Sequence, residues 1–242
     1  MEAPEVDRMH RHFEDELAEL RTELLYMASL AEKAVETSIT ALKSRDEALA
    51  NHVIDGDMII NQLEVKIDEL CVEILARHQP MASDLRFVAS AMKINNDLER
   101  IGDHAVNIAE NTIKLLPEPE LKPLLDIPRM ATVAQGMVRD ALDAFVHREV
   151  ARAVSVCQSD DEVDALNNQV LRELVTYMAS DPRAISRALS LILISKNLER
   201  IADLSTNIAE EVVFMVEARS IKHHLGKDDV HQHRKMKSGG WQ

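Results

Sequence analysis

The chain says much of itself twice, and that constrains its fold more than any other feature. Leu98-Glu-Arg-Ile-Gly-Asp-His-Ala-Val-Asn-Ile-Ala-Glu110 returns as Leu198-Glu-Arg-Ile-Ala-Asp-Leu-Ser-Thr-Asn-Ile-Ala-Glu210, with nine of thirteen positions identical at an offset of 100. Upstream, Arg45 to Leu63 aligns with Arg148 to Leu166 at an offset of 103, placing Asp57 on Asp160. Met81-Ala-Ser-Asp84 matches Met178-Ala-Ser-Asp181 at an offset of 97. Small changes of offset at loops are what a duplicated domain shows. The fold must therefore be one that about 100 residues build once and then build again.

Turn-forming residues are too scarce for sheets. The 242 residues include 6 Gly and 7 Pro, where average usage gives roughly 17 and 12. All-β and α/β chains need Gly, Pro and Asn every few residues, so the chain is all-α with long helices. Only seven residues are aromatic, which leaves Leu, Ile, Val, Met and Ala to fill the core. Pro117, Pro119, Pro123 and Pro128 cluster near the midpoint, where such density breaks helices and makes a semi-rigid connector. In the first half, apolar periodicity predicts helices over about 6–43, from a cap at Asp46 to 77, and from a cap at Ser83 or Asp84 to 116. In the second half it predicts helices over about 129–146, 150–178 and 181–219. The expected architecture is a tandem repeat of two antiparallel three-helix bundles: residues 1–116, a proline-rich connector at 117–128, residues 129–219, and a basic, His-containing tail at 220–242.

Charge is uneven. The net charge is −14, and the segment from Arg219 onward holds six basic side chains against Asp228 and Asp229, leaving 22 basic and 40 acidic groups in the body. An acidic body does not bind nucleic acid, because phosphate recognition needs clustered Lys and Arg. Cys71 and Cys157 lie apart in apolar patterns, as small buried thiols do. The polar start Met1-Glu-Ala-Pro-Glu-Val-Asp7 lacks the features of a signal peptide, and no apolar run nears the length of a bilayer span. The expectation is a cytoplasmic protein that meets a membrane only through partners.

The last helix buries Leu191, Ile194, Leu198, Ile201, Ser205, Ile208, Val212 and Met215 by spacing. Glu199, Asp203, Asn207 and Glu210 then share a stripe roughly opposite, and Glu99, Asp103, Asn107 and Glu110 repeat it. A solvated face is the simplest reading of such a stripe. Yet Glu-x-x-x-Asp places like charges four residues apart, which disfavours a helix by about 0.2–0.5 kcal/mol, and it recurs where intervening residues have diverged. Asp57, Asn61 and Glu64 in one second helix, and Asp160, Asp161 and Asp164 in the other, offer facing oxygen donors. Such a set suits iron, manganese, magnesium or calcium, with zinc also in range.

Asp84 with Arg86, and Asp181 with Arg183, follow a Ser at a helix start. Capping explains the acids, and Pro182 suits a first turn; the recurring Arg points to partner contact as the alternative. Arg100 and Arg200 stand beside the carboxylates as ion-pair partners. His223, His224, His231 and His233 form a weak metal candidate in the tail. No enzyme is expected: di-iron bundles use Glu-x-x-His pairs, which the chain lacks, and it has neither a Gly-rich phosphate loop nor a nucleophile motif.

Two copies of Leu-Glu-Arg-Ile-[Gly/Ala]-Asp with Asn four residues on, two of Met-Ala-Ser-Asp-x-Arg, Val65-Lys-Ile-Asp-Glu-Leu-Cys71 and the Ile221-Lys-His-His224 ending resemble the PhoU family over roughly residues 10–225. The resemblance implies tandem three-helix bundles, cytoplasmic homodimers, and Glu/Asp-x-x-x-Asp motifs holding surface metal clusters in some members. It also implies a non-enzymatic adaptor that associates with the ATPase subunit of the phosphate ABC transporter and with the histidine kinase PhoR. In that role it represses the phosphate-starvation response and modulates uptake. Gly102 departs to Ala202 in the second copy, a change expected to leave the carboxylates in place.

Overall fold

A computed structural model describes residues 3–221, with side chains from residue 12; the histidines at 223, 224, 231 and 233 lie outside the described residues. Six helices follow in order: α1 (Ala3–Ser44), α2 (Glu47–His78), α3 (Ala82–Leu115), α4 (Asp126–His147), α5 (Val150–Ser180) and α6 (Ile185–Glu217). A single 3-10 turn, Pro182–Ala184, precedes α6. No strand occurs among the described residues.

Glycine takes no part in the sharp helix ends. Arg45, Gln79, Arg148 and Ala218 adopt left-handed φ of 54°, 48°, 54° and 56° instead. Arg45 and Arg148 occupy equivalent positions of the repeat and end α1 and α4 in the same way: Asp46 N–H donates to the Ala41 carbonyl at 3.0 Å, and Glu149 N–H to Ala144 at 3.0 Å. These six-to-one bonds satisfy carbonyls that a helix end leaves open. Asp46 caps α2 as expected, accepting from the N–H groups of Ala48 and Leu49.

The start of α3 differs from expectation. Its cap position is Met81, with no side-chain cap, and Ser83 and Asp84 already lie within the first turn. Asp181 does cap: its carboxylate accepts from Arg183 N–H at 3.0 Å, with Pro182 at the first position of the 3-10 turn. The two Met-Ala-Ser-Asp segments thus share letters but not structure, since Met178 to Ser180 form the last turn of α5. α4 starts at Asp126 and takes Pro128 into its first turn, where the missing N–H is not needed.

Apolar spacing drives the packing. Every residue of the α6 seam, Leu191 through Met215, is buried, and Leu98, Ile101, Ala105 and Ile108 of α3 are fully so. α3 and α6 run antiparallel and make the most extensive helix pair in the molecule. Lys93 Nζ meets Glu211 at 3.0 Å, His104 meets Asn197 at 2.8 Å and Arg86 Nε donates to the Met215 carbonyl at 3.3 Å. α1 and α2 cover α3; α4 and α5 cover α6; α1 also touches α4. One continuous core results, so the two bundles are fused side by side along α3 and α6.

The connector is correspondingly a strap clamped to the body, fastened from both halves. Arg45 Nη2 donates to the carbonyls of Leu115, Leu116 and Glu118 at 3.1, 2.9 and 2.7 Å, and Arg187 donates to Pro119 at 3.1 Å. Lys122 is buried and pairs with Glu173 of α5 and, at 3.6 Å, with Asp126. Removing one member of a buried pair strands the other charge. Lys122→Ala is expected to cost about 2 kcal/mol, below the fully buried range because Glu173 retains solvent access. Denaturant unfolding measures this, and a midpoint equal to wild type would show that the clamp contributes nothing.

Candidate metal-binding faces on paired helices

Part of each carboxylate stripe is withdrawn from water. Glu99 is half-buried against α2, and Glu199 keeps only 12% of its side chain exposed. Each stripe looks across a helix interface at the facing acids of its own bundle. In the first, Asp57 accepts from Asn61 Nδ2 at 2.8 Å through Oδ2, while its buried Oδ1 has no hydrogen-bond partner. In the second, Asp160 Oδ1 and Glu199 Oε2 are buried without a hydrogen bond, although Arg200 Nε lies 3.7 Å from Glu199 Oε2.

Electrostatics follow from this crowding. Burial raises the Asp57 carboxyl above its usual range, partly offset by the Asn61 bond, and Asp103 adds repulsion. Burial likewise raises Glu99, with Asp103, Glu64 and Asp57 adding to it. Asp160 is pushed up to about 6, first by burial and then by Asp203, Asp164, Glu199 and Asp161. Asp203 rises for the same reasons, against Arg200 and Lys196. Mutual repulsion in a partly dry site favours binding of either a proton or a cation.

The two faces are equivalent in place and unequal in charge. Asp161 and Asp164 stand where the first half has Met58 and Asn61. The second face also holds cations: Lys196 pairs with Glu199, and Arg200 with Asp203 at 3.2 Å. Arg100 reaches instead toward Asp97 at 3.9 Å. Asn107 is exposed and Asn207 half-buried, one turn beyond the acids. The acids and amides of both faces are oxygen donors, which fit a hard or borderline cation; the second face also holds the Cys157 thiol near Asp160 and Glu210. Among the described residues, no three ligating side chains are gathered into a finished site.

Gly102 belongs to this geometry. A Cβ there would lie 3.0 Å from Ile60 Cδ1 and 3.3 Å from Asp57 Oδ1. In the second half Ala202 is matched by the smaller Val163 at the position of Ile60, so the two differences compensate.

The partner candidates separate. Arg86 is half-buried and bonded to the end of α6, with Asp84 beside Ser83 at 3.4 Å. Arg183 is 90% exposed, its guanidinium 3.2 Å from Asp181; the Arg183 backbone N–H first, and then that side chain, hold the Asp181 carboxyl below its usual range. The buried acid Asp97 and the His104–Asn197 link between the halves had escaped sequence reasoning. Asn197 Nδ2 donates to Leu193, so His104 Nδ1–H donates to the Asn197 oxygen. Burial lowers the His104 pKa and keeps the ring neutral. Their available signal was asymmetry, since Asp97/Asn197 and His104/Leu204 are positions where the repeat disagrees with itself.

Two three-helix units fused through their last helices, each with an acidic face between its second and third, define a helical scaffold protein built by duplication. The PhoU domain matches the chain twice, over residues 24–112 and 127–212, and the chain belongs to the PhoU family. It is 46% identical over 214 residues to the phosphate-specific transport system accessory protein PhoU homolog of Pseudomonas putida, covering 88% of this chain and 84% of that one. The crystal structure of PhoU from Pseudomonas aeruginosa superimposes with a TM-score of 0.84 at 46% identity, covering 86% of this chain and all of that one. That of the phosphate transport system regulatory protein PhoU from Streptococcus pneumoniae gives 0.80 at 30% identity, covering 87% and 99%.

Two predictions test the faces. Asp160 binds its proton more tightly in the folded chain than at the ordinary value of 3.8, so its ionisation subtracts stability as pH rises from about 4 to about 6. Asp160→Asn should therefore raise the urea midpoint at pH 7 in chelator and leave it unchanged at pH 3.5; equal gains at both would remove the electrostatic cause. Gly102→Ala should destabilise by about 1 kcal/mol, and adding Ile60→Val should recover part of it. A double-mutant cycle without coupling would contradict that packing.

Proposed function

We propose that this protein regulates phosphate-specific transport as a non-enzymatic adaptor. It represses the phosphate-starvation response when phosphate is plentiful by linking the ATPase subunit of the phosphate ABC transporter to the histidine kinase PhoR, and it modulates uptake. The observation that supports this reading most is the match, over 88% of this chain, to relatives named as accessory proteins of the phosphate-specific transport system. The architecture suits it, because a duplicated rigid scaffold offers two related surfaces to two partners. No helix among the described residues is long and apolar enough to cross a membrane, so contact with a membrane transporter goes through protein surfaces. Exposed Arg183 with Asp181 is the better placed of the two Asp-x-Arg pairs to touch a partner. Homodimerisation and a cytoplasmic location complete the reading.

Within it, Glu99, Asp103, Asn107 and Asp57 hold one cation, and Glu199, Asp203, Asn207, Asp160, Asp161 and Asp164 another. Iron, manganese, zinc, magnesium or calcium would neutralise the repulsion just described and lock second helix to third. The unpaired buried oxygens of Asp57, Asp160 and Glu199 support this. The alternative, a metal-storage protein without a signalling role, rests on the same faces.

Gene deletion with a phosphate-starvation reporter in high phosphate separates the two. Derepression supports the adaptor, and unchanged repression sinks it. Replacing Glu99, Asp103, Glu199 and Asp203 by Ala should remove bound metal from tag-free protein, measured by elemental analysis; full retention rejects these ligands.

A further inference from the structure

A groove lies in the first bundle between α1 and α2, beginning one turn along α2 from Glu64. Glu19 of α1 and Asp68, Glu69 and Glu73 of α2 stand along it, over a floor that includes Val72 of α2 and Met92 of α3. Its volume is about 700 Å³. Val72 is 56% exposed although it is β-branched and apolar, and Glu69 has no ion pair among the described residues. Buried Glu16 fastens the two walls: His78 Nε2 donates to it at 2.9 Å, Arg77 at 3.2 Å and His12 at 3.1 Å. Lys66 also lines the groove, 2.7 Å from Glu23 and 3.9 Å from Glu19, and Arg77 lies 3.2 Å from Glu73, so the acids still outnumber the cations along it, beside the apolar Val72 and Met92.

The stretch of α3 that includes Met92 also receives the end of α6. Arg86, in the first turns of α3, holds the Met215 carbonyl, and Lys93, next to Met92, pairs with Glu211. Ile221 is buried in the core, so the chain leaves the fold from an anchored point on this side. At least 21 residues follow, with five Lys or Arg and four His against two Asp, and with Leu225, Val230, Met236 and Trp241 interspersed. A random coil of 21 residues spans about 25 Å on average, and Met92 is only about 9 Å along α3 from Arg86. The family domain ends before it, at residue 212.

We propose that residues 222–242 dock in this groove in cis, the basic side chains against Glu19, Glu69 and Glu73 and an apolar side chain over Val72 and Met92. Tethering makes weak charge complementarity sufficient, because the second binding partner is present at millimolar effective concentration. The groove is then a site for basic, apolar-flanked peptide whose own tail occupies it until a competing segment arrives.

Trp241 is the sole tryptophan and reports on the tail in the intact protein. In low salt its emission should be blue-shifted and shielded from acrylamide. The triple variant Glu19→Gln, Glu69→Gln, Glu73→Gln, or salt screening, should shift it to the red and abolish the shielding. Hydrogen exchange in residues 12–23 and 66–77 should rise when the chain is cut back to Ile221. Three results overturn the proposal: a solvent-exposed Trp241 together with exchange unaffected by truncation; release by Asp161→Asn, Asp164→Asn in place of the triple variant; or shielding that vanishes on dilution, which places the tail on a second copy.

Discussion

Everything in this molecule hangs on the antiparallel contact between α3 and α6. Ile94, Leu98, Ile101, Ala105 and Ile108 on one helix, and Ile194, Leu198, Ile201, Ile208 and Val212 on the other, are withdrawn completely from water. Burial of each Leu, Ile or Val is worth about 1.5–3 kcal/mol, which makes this pair the stiff centre against which the outer helices pack. Because the pair is antiparallel and joins corresponding segments of a repeat, it acts as a local two-fold axis. Contacts such as His104 with Asn197 and Lys93 with Glu211 hold its register.

That axis also explains why the acidic faces tolerate their own repulsion. Glu99 is half-buried and Glu199 keeps only 12% of its side chain exposed, so neither gains full access to water without shifting its helix. The apolar seam therefore stabilises an arrangement that electrostatics oppose. Opposing groups relieve it only in part: Lys196 and Arg200 on one face, Arg100 and the hydrogen-bonding Asn61 amide on the other. Strain of this kind, retained twice in one chain, is a reason to read the faces as binding surfaces.

Much of this was legible beforehand, for identifiable reasons. Long helices show themselves by period, so the α6 seam could be written down residue by residue and is buried as written. The Asp46 cap was legible because Asp before an apolar-periodic run has one economical use. The cap of α3 was not, since Ser83 and Asp84 offer the same chemistry one turn too late and the chain turns at Gln79 and Met81 instead. Identical Met-Ala-Ser-Asp letters misled because a four-residue match carries no information on which side of a turn it falls. The connector prolines fall around the break between α3 and α4; what they do not encode is that Arg45, Arg187 and Lys122, distant in sequence, would fasten it.

The sequence by itself determined that the chain is helical, duplicated, and striped with carboxylates four residues apart, because helix periodicity and composition are local properties. Only the tertiary structure decided that the two bundles share one core, that Asp57 and Asp160 lose hydrogen-bond partners on facing their stripes, and that Arg86 is engaged while Arg183 is exposed. Those outcomes depend on which helices meet and in what register. That register is set by interdigitation of side chains across α3 and α6, a pairwise property that no single stretch of sequence contains.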